Sequence, residues 1–179
     1  ILIPKGNRAA DLEAVAAAVP GADLWAMMET SLGMLNAAEI AAHPKLRGMV
    51  MGTNDLAKEL GSRFRADRMA LQTGLGLCVL AARAYGRVIV DGVFNAFKDD
   101  EGLDGKTLIH PAQLDIANAA FAPSEAELEL ARRQIAAFAE AKAAGQGVAV
   151  VDGKIGETLH IVPAEALIAK ADAIAAMAE

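Results

Sequence analysis

The sequence predicts an α/β fold, a parallel sheet covered by helices, followed by a small separate module. Three observations carry this. Short apolar runs at residues 1–4, 24–28, 48–52, 88–92 and 107–110 each have the length of a buried strand, and four of the five end at Gly, Pro or a polar residue. Ala-rich stretches with helix signals lie between them. After Pro111 the alternation gives way to a long helical pattern. Strand–helix–strand repetition with apolar strands is the pattern of a parallel sheet buried by helices.

Taken in order, the first strand at 1–4 is followed by a helix starting with Asp11-Leu12-Glu13-Ala14-Val15, then by the strands at 24–28 and 48–52. Residues 67–83 predict a helix with Gly86 as its C-cap. Gly74 and Gly76 fall inside it and imply close packing rather than a dinucleotide loop. The strands at 88–92 and 107–110 follow. Ser124 and Glu127 are spaced as a capping box, opening a helix that reaches about Ala144 and stops at Gly145-Gln146-Gly147. A strand at 148–151, a turn at Asp152-Gly153-Lys154 and a helix from about Pro163 complete the chain. The expected division is 1–122 for the sheet domain and 123–179 for the helix-and-lid module.

Five strand units cannot close a (β/α)8 barrel, which takes about 250 residues. Either the sheet is open, or about three units belong in front of Ile1; the opening Ile-Leu-Ile-Pro-Lys, with no initiator Met, reads as the middle of something. Residues 93–103 join two strands without the helical pattern that a parallel crossover normally uses. Residues are therefore expected to be missing between Leu103 and Asp104.

Composition narrows the function. The 179 residues are 54% hydrophobic and 22% charged, the balance of a soluble globular protein, and aromatics are only 4%, so Ala, Leu, Val, Ile and Met must fill the core. A net charge of −6 without a Lys/Arg block argues against nucleic acid. No apolar stretch nears the roughly 20 residues of a membrane span, and no signal peptide is visible. The lone Cys78 permits no disulfide within the chain, which fits a reducing cytoplasm.

Two carboxylates stand out. Glu29 follows the run 24–28, and Asp55 follows 48–52, so both sit where a parallel strand hands over to its loop, the edge where such folds bind ligands. Hard oxygen donors there, with open positions for water and substrate, suit Mg2+. The competing reading is that both are ordinary helix N-cap or first-turn acids. Asp91 closes the fourth run as a substrate-contacting group or a turn residue. His110, Pro111 and Gln113 end the fifth, where a loop could contact a ligand. His43, His110 and His160 are too scattered for a zinc site. Ser31 lacks the His and Asp pattern of a serine hydrolase, and Gly102 to Thr107 has the wrong spacing for a phosphate loop.

Leu24-Trp25-Ala26-Met27-Met28-Glu29-Thr30-Ser31-Leu32-Gly33 resembles the Glu-Thr-x-x-Gly metal motif of the citrate lyase β-subunit and malyl-CoA lyase family. Gly52-Thr53-Asn54-Asp55-Leu56 resembles its Gly-x-x-Asp-Leu motif. Residues 89–94 and 105–113 resemble its last two strands, and 151–154 the start of its lid. The resemblance implies a (β/α)8 barrel whose fourth strand is 1–4, with Mg2+ held by Glu29 and Asp55. It implies a CoA-thioester substrate touched by Asp91, His110, Pro111 and Gln113, and a lid acid/base at Glu157, with Asp152 second. It further implies a homotrimer or homohexamer that exchanges lids between subunits. The reaction it implies is reversible carbon–carbon cleavage of a 3-hydroxyacyl-CoA such as malyl-CoA. Two rivals keep the scaffold: a malyl-CoA thioesterase, and a citrate lyase β-type subunit of a complex. A metal-free binding domain is a third.

Overall fold

The computed structural model describes residues 1–63, 65, 67–93, 105–145, 149–151, 154–156 and 158–177. Their contacts divide into two units, Ile1–Phe121 and Ala122–Glu179.

The first unit is built on five strands in sequential order: β1 (Leu2–Ile3), β2 (Leu24–Met28), β3 (Leu46–Met51), β4 (Val88–Asp91) and β5 (Gly105–Lys106). Every neighbouring pair is parallel. An α/β fold with a parallel sheet is thus the observed class. The order never reverses, so all strands point their C-terminal ends to one edge.

The sequence explains the burial. In β2, Leu24, Ala26 and Met28 are fully buried, and in β3 all but Arg47 are buried. Each such Leu or Met contributes about 1.5–3 kcal/mol by leaving water. The Trp25 ring lies over the backbone of its cross-strand partner Gly48, where a Cβ would come within 2.4 Å of the ring.

Helices fill the connections. In α1 (Ala9–Ala18), the helix starts two residues before Asp11, because the Asp11 carboxylate accepts from the N–H groups of Asn7 and Arg8 at 2.9 and 3.0 Å. The β2–β3 connection holds two short helices, α2 (Ser31–Leu35) and α3 (Ala37–Ala41). A third, α4 (Thr53–Glu59), follows β3. The long α5 (Met69–Ala84) ends at Gly86, whose φ of 61° suits a left-handed cap. Of its two glycines only Gly74 makes a close approach, to Met34; Gly76 has open space around it.

Strand β5 lies two residues earlier than the apolar run 107–110. Just beyond it, Thr107 donates from its N–H and its Oγ1 to the carbonyl of Asp91, at 2.8 and 3.0 Å. Residues 94–104, including the expected break at Leu103, lie outside the described residues. A 3-10 turn (Pro111–Gln113) and α6 (Leu114–Phe121) close the unit.

The second unit begins with α7 (Glu125–Ala143), capped reciprocally by Ser124 and Glu127. Strands β6 (Ala149–Val151) and β7 (Lys154–Gly156) pair antiparallel, and α8 (Thr158–Met177) packs against α7. This last helix starts five residues before Pro163. Pro163 therefore lies inside the helix and does not open it. Among the described residues, no helix is long and apolar enough to cross a membrane.

Candidate metal and substrate cleft

At the C-terminal edge of the sheet, Glu29 and Asp55 line one cleft of about 120 Å³, together with Gly52, Thr53, Asn54, Val93 and Thr107. That volume suits a hydrated ion or a small acid, well below the roughly 300–1,000 Å³ of a site enclosing a larger ligand.

Each residue of the Glu-Thr-x-x-Gly pattern has a local job. Glu29 leaves β2 with its side chain nearly buried, at 8% exposure. Its Oε1 accepts the Lys5 N–H at 2.8 Å. Thr30 caps α2, accepting the Gly33 N–H at 3.0 Å, and its hydroxyl donates to the Asn7 side chain. Gly33 is required because a Cβ there would lie 2.5 Å from the Gly6 carbonyl oxygen.

The second motif meets the first. The Gly52 N–H donates to the Met28 carbonyl at 2.8 Å, pinning the ends of β2 and β3 together. A Cβ on Gly52 would lie 2.3 Å from the Glu29 Cβ and 2.9 Å from its Oε2. Glycine therefore leaves the space the Glu29 carboxylate occupies. Asp55, in the first turn of α4, is exposed at the same cleft. Two carboxylates lining one cleft beside Thr53, Asn54 and Thr107 are an oxygen donor set that fits Mg2+. Among the described residues no cluster of three or more His, Cys, Asp or Glu side chains forms a larger metal site.

Asp91 stands elsewhere. It is fully buried, and its two oxygens take a bidentate pair from Arg68 at 3.1 and 2.7 Å, an ion pair from Lys106, and the Gly92 N–H at 2.8 Å. Burial pushes its carboxyl up, but the hydrogen bonds and charges of Arg68 and Lys106 outweigh this and hold it below the ordinary value. With these partners the carboxylate ties the start of α5 to β4 and β5 rather than presenting a free acceptor. The sequence reading missed Arg68 and Lys106, which stand 23 and 15 residues from Asp91.

His110, Pro111 and Gln113 form a self-capped turn, with Pro111 the first residue of the 3-10 helix. His110 Nδ1 accepts the Ala112 N–H at 3.1 Å, and Gln113 Oε1 accepts the N–H groups of Ile109 and His110 at 3.0 and 3.2 Å. Thr107, not these residues, reaches the cleft. His43 is buried, its ring bonded to Glu13 at 3.1 Å. Cys78 is buried in α5, and desolvation pushes its thiol up to about 12. Glu157 and Asp152 lie outside the described residues.

Comparison with known proteins converges on one group. The family model described as HpcH/HpaI aldolase/citrate lyase matches residues 1–111. The chain is 73% identical over 188 residues to a (3S)-malyl-CoA thioesterase of Cereibacter sphaeroides, covering 98% of this chain and 66% of the relative. It is 32% identical over 212 residues to an L-malyl-CoA/beta-methylmalyl-CoA lyase of Rhodobacter capsulatus, covering 96% and 67%. Its fold resembles that of CitE from Mycobacterium tuberculosis in complex with magnesium, acetoacetate and coenzyme A. The TM-score there is 0.81 at 30% identity, over 96% of this chain and 67% of that one. The chain thus spans about two thirds of these relatives.

Proposed function

We propose that this chain, which belongs to the HpcH/HpaI aldolase/citrate lyase family, forms the metal-binding part of a magnesium-dependent thioesterase acting on malyl-CoA or a close hydroxyacyl-CoA. The observation that carries the choice is the 73% identity to a malyl-CoA thioesterase over nearly the whole chain, against 32% to lyases. The sequence reading favoured the lyase; the relatives favour its stated rival. The sequential parallel strands are taken as an arc of a (β/α)8 barrel.

In this reading Glu29, through Oε2, and Asp55 hold Mg2+. When bound, the ion supplies Lewis acidity toward carboxylate and carbonyl oxygens and lowers the pKa of water. The chain's own groups do the rest. The Lys5 N–H fixes one Glu29 oxygen, and Gly52 leaves the carboxylate room. Thr53, Asn54 and Thr107 line the same space with polar groups. Hydrolysis adds the oxygen of water to the thioester carbonyl carbon and breaks the C–S bond. CoA leaves as the thiol, taking a proton, and malate is released. Cys78 is buried in the core with its thiol pushed up to about 12, and among the described residues that line the cleft no Cys or Ser offers an acyl-enzyme route.

The lyase is the second reading, supported by the 32% relatives and the magnesium-bound CitE fold. It needs an acid/base at the thioester α-carbon, for which Glu157, then Asp152, are proposed, carried on a lid from a neighbouring subunit of a homotrimer or homohexamer.

The test is free CoA release by the purified full-length protein given malyl-CoA. Chelation of Mg2+, Glu29→Gln and Asp55→Asn should each lower it at least about 100-fold, the scale of a lost metal or transition-state contact. CoA release unchanged in both variants would remove the site from the reaction.

A further inference from the structure

Only Lys5 and Arg68, among the described non-glycine residues, hold a positive φ, at 50° and 47°. For an L-residue this conformation costs about 1–2 kcal/mol, so it persists only where surroundings enforce it. We propose that the left-handed backbone of Lys5, and not its ammonium group, is a positioning element for Glu29. The inference rests on the reading of Glu29 as a magnesium ligand.

The surroundings of Lys5 are built to hold that turn. Two residues on, Asn7 receives the Thr30 hydroxyl on its side chain and the Asn36 side-chain N–H on its carbonyl, at 2.9 Å for the latter. Between them, Gly6 lays its carbonyl against Gly33, where any Cβ would collide. The turn after β1 is therefore fastened to the start of α2, the element that directly follows Glu29. In this setting the Lys5 N–H meets Glu29 Oε1 at 2.8 Å, while the Lys5 side chain is exposed. With Oε1 tied, rotation of the carboxylate is restrained, and Oε2 lies on the side of Gly52, which lines the cleft with Glu29. A carboxylate held this way loses less freedom on binding an ion, the general role of groups that orient metal ligands.

The backbone assignment separates two variants that a side-chain role would treat alike. Lys5→Gly discards the ammonium but favours positive φ and keeps the N–H. Lys5→Val also keeps the N–H, but its β-branch disfavours positive φ. Mn2+ titration of the full-length protein without substrate, followed by electron paramagnetic resonance, reads the site directly. Lys5→Gly should bind Mn2+ within about twofold of the parent, whereas Lys5→Val should bind about 10- to 100-fold more weakly, the range for groups that orient metal ligands. Weakened binding in Lys5→Gly, or parental binding in Lys5→Val, overturns the proposal. Lys5→Gly keeps the proposal falsifiable even if Lys5→Val does not fold. Glu29→Gln in the same titration separates the two layers: if it too binds like the parent, the metal reading itself has failed.

Discussion

Gly52→Ala is the smallest change that should disable the cleft. The added Cβ would stand 2.3 Å from the Glu29 Cβ. Carbon atoms rest at about 3.5–4.0 Å, so the two must separate by roughly 1.2 Å. The Glu29 Cβ is the stem of the side chain and cannot swing aside. The strand ends cannot part freely either, because the Gly52 N–H bonds to Met28 at 2.8 Å. Gly52 has a negative φ of −91°, so alanine fits its backbone and the effect is purely one of space. Overpacking of this kind costs about 1–3 kcal/mol, or a Tm drop of several degrees at about 2–4 °C per kcal/mol. Displacing a reacting group by about 1 Å costs about 100-fold in rate. The assay is CoA release against malyl-CoA concentration, with Mn2+ titration and thermal melting alongside. Gly76→Ala is the matched control: that glycine has nothing within 4 Å and sits in a helix, so alanine should add about 0.5–1 kcal/mol and leave activity intact. Parental kcat/KM and metal affinity in Gly52→Ala would refute the reasoning.

Other expectations are independent of the metal. Asp91→Asn should destabilise by about 3–5 kcal/mol in urea unfolding, because it strips Arg68 and Lys106 of a buried carboxylate. The Asp91 carboxyl is held below its ordinary value of 3.8 in the folded state, so it stabilises fully above that pH and progressively less as pH falls below it. Stability measured from pH 6 down to pH 2 should therefore fall more steeply in the parent than in Asp91→Asn; parallel curves would refute the linkage. Cys78, with its thiol pushed up to about 12, should resist a thiol-specific reagent until the protein unfolds, and Cys78→Ala should keep its CoA-releasing activity. Rapid native modification, or loss of activity without loss of folding, would return a thiol to the mechanism.

The sequence was most legible where burial dictated it. The runs that became β2, β3 and β4 are apolar because the sheet is the centre of the core, and their ends located Glu29 and the Gly52-to-Asp55 segment that opens α4. The capping box at Ser124 and the stop at Gly86 were readable because local chemistry alone sets them. Less was legible where tertiary contact decides. The left-handed backbones of Lys5 and Arg68 have no signature in a lysine or an arginine. The short helices after Thr30 and Gly52 lack the length for a periodic pattern. Gly74 and Gly76 look alike in sequence, yet two residues apart on a helix they face different surroundings, and only one meets Met34. Asp91 read as a substrate-contacting group or a turn residue because the two cations that claim it lie far along the chain.

The fate of malyl-CoA separates thioesterase from lyase. The full-length protein should be incubated with malyl-CoA and Mg2+, and free CoA, malate and glyoxylate measured separately in the same reaction. A thioesterase gives equal amounts of free CoA and malate, with no glyoxylate. Glyoxylate appearing with acetyl-CoA, and no free CoA, would contradict the thioesterase reading and make the protein a carbon–carbon lyase.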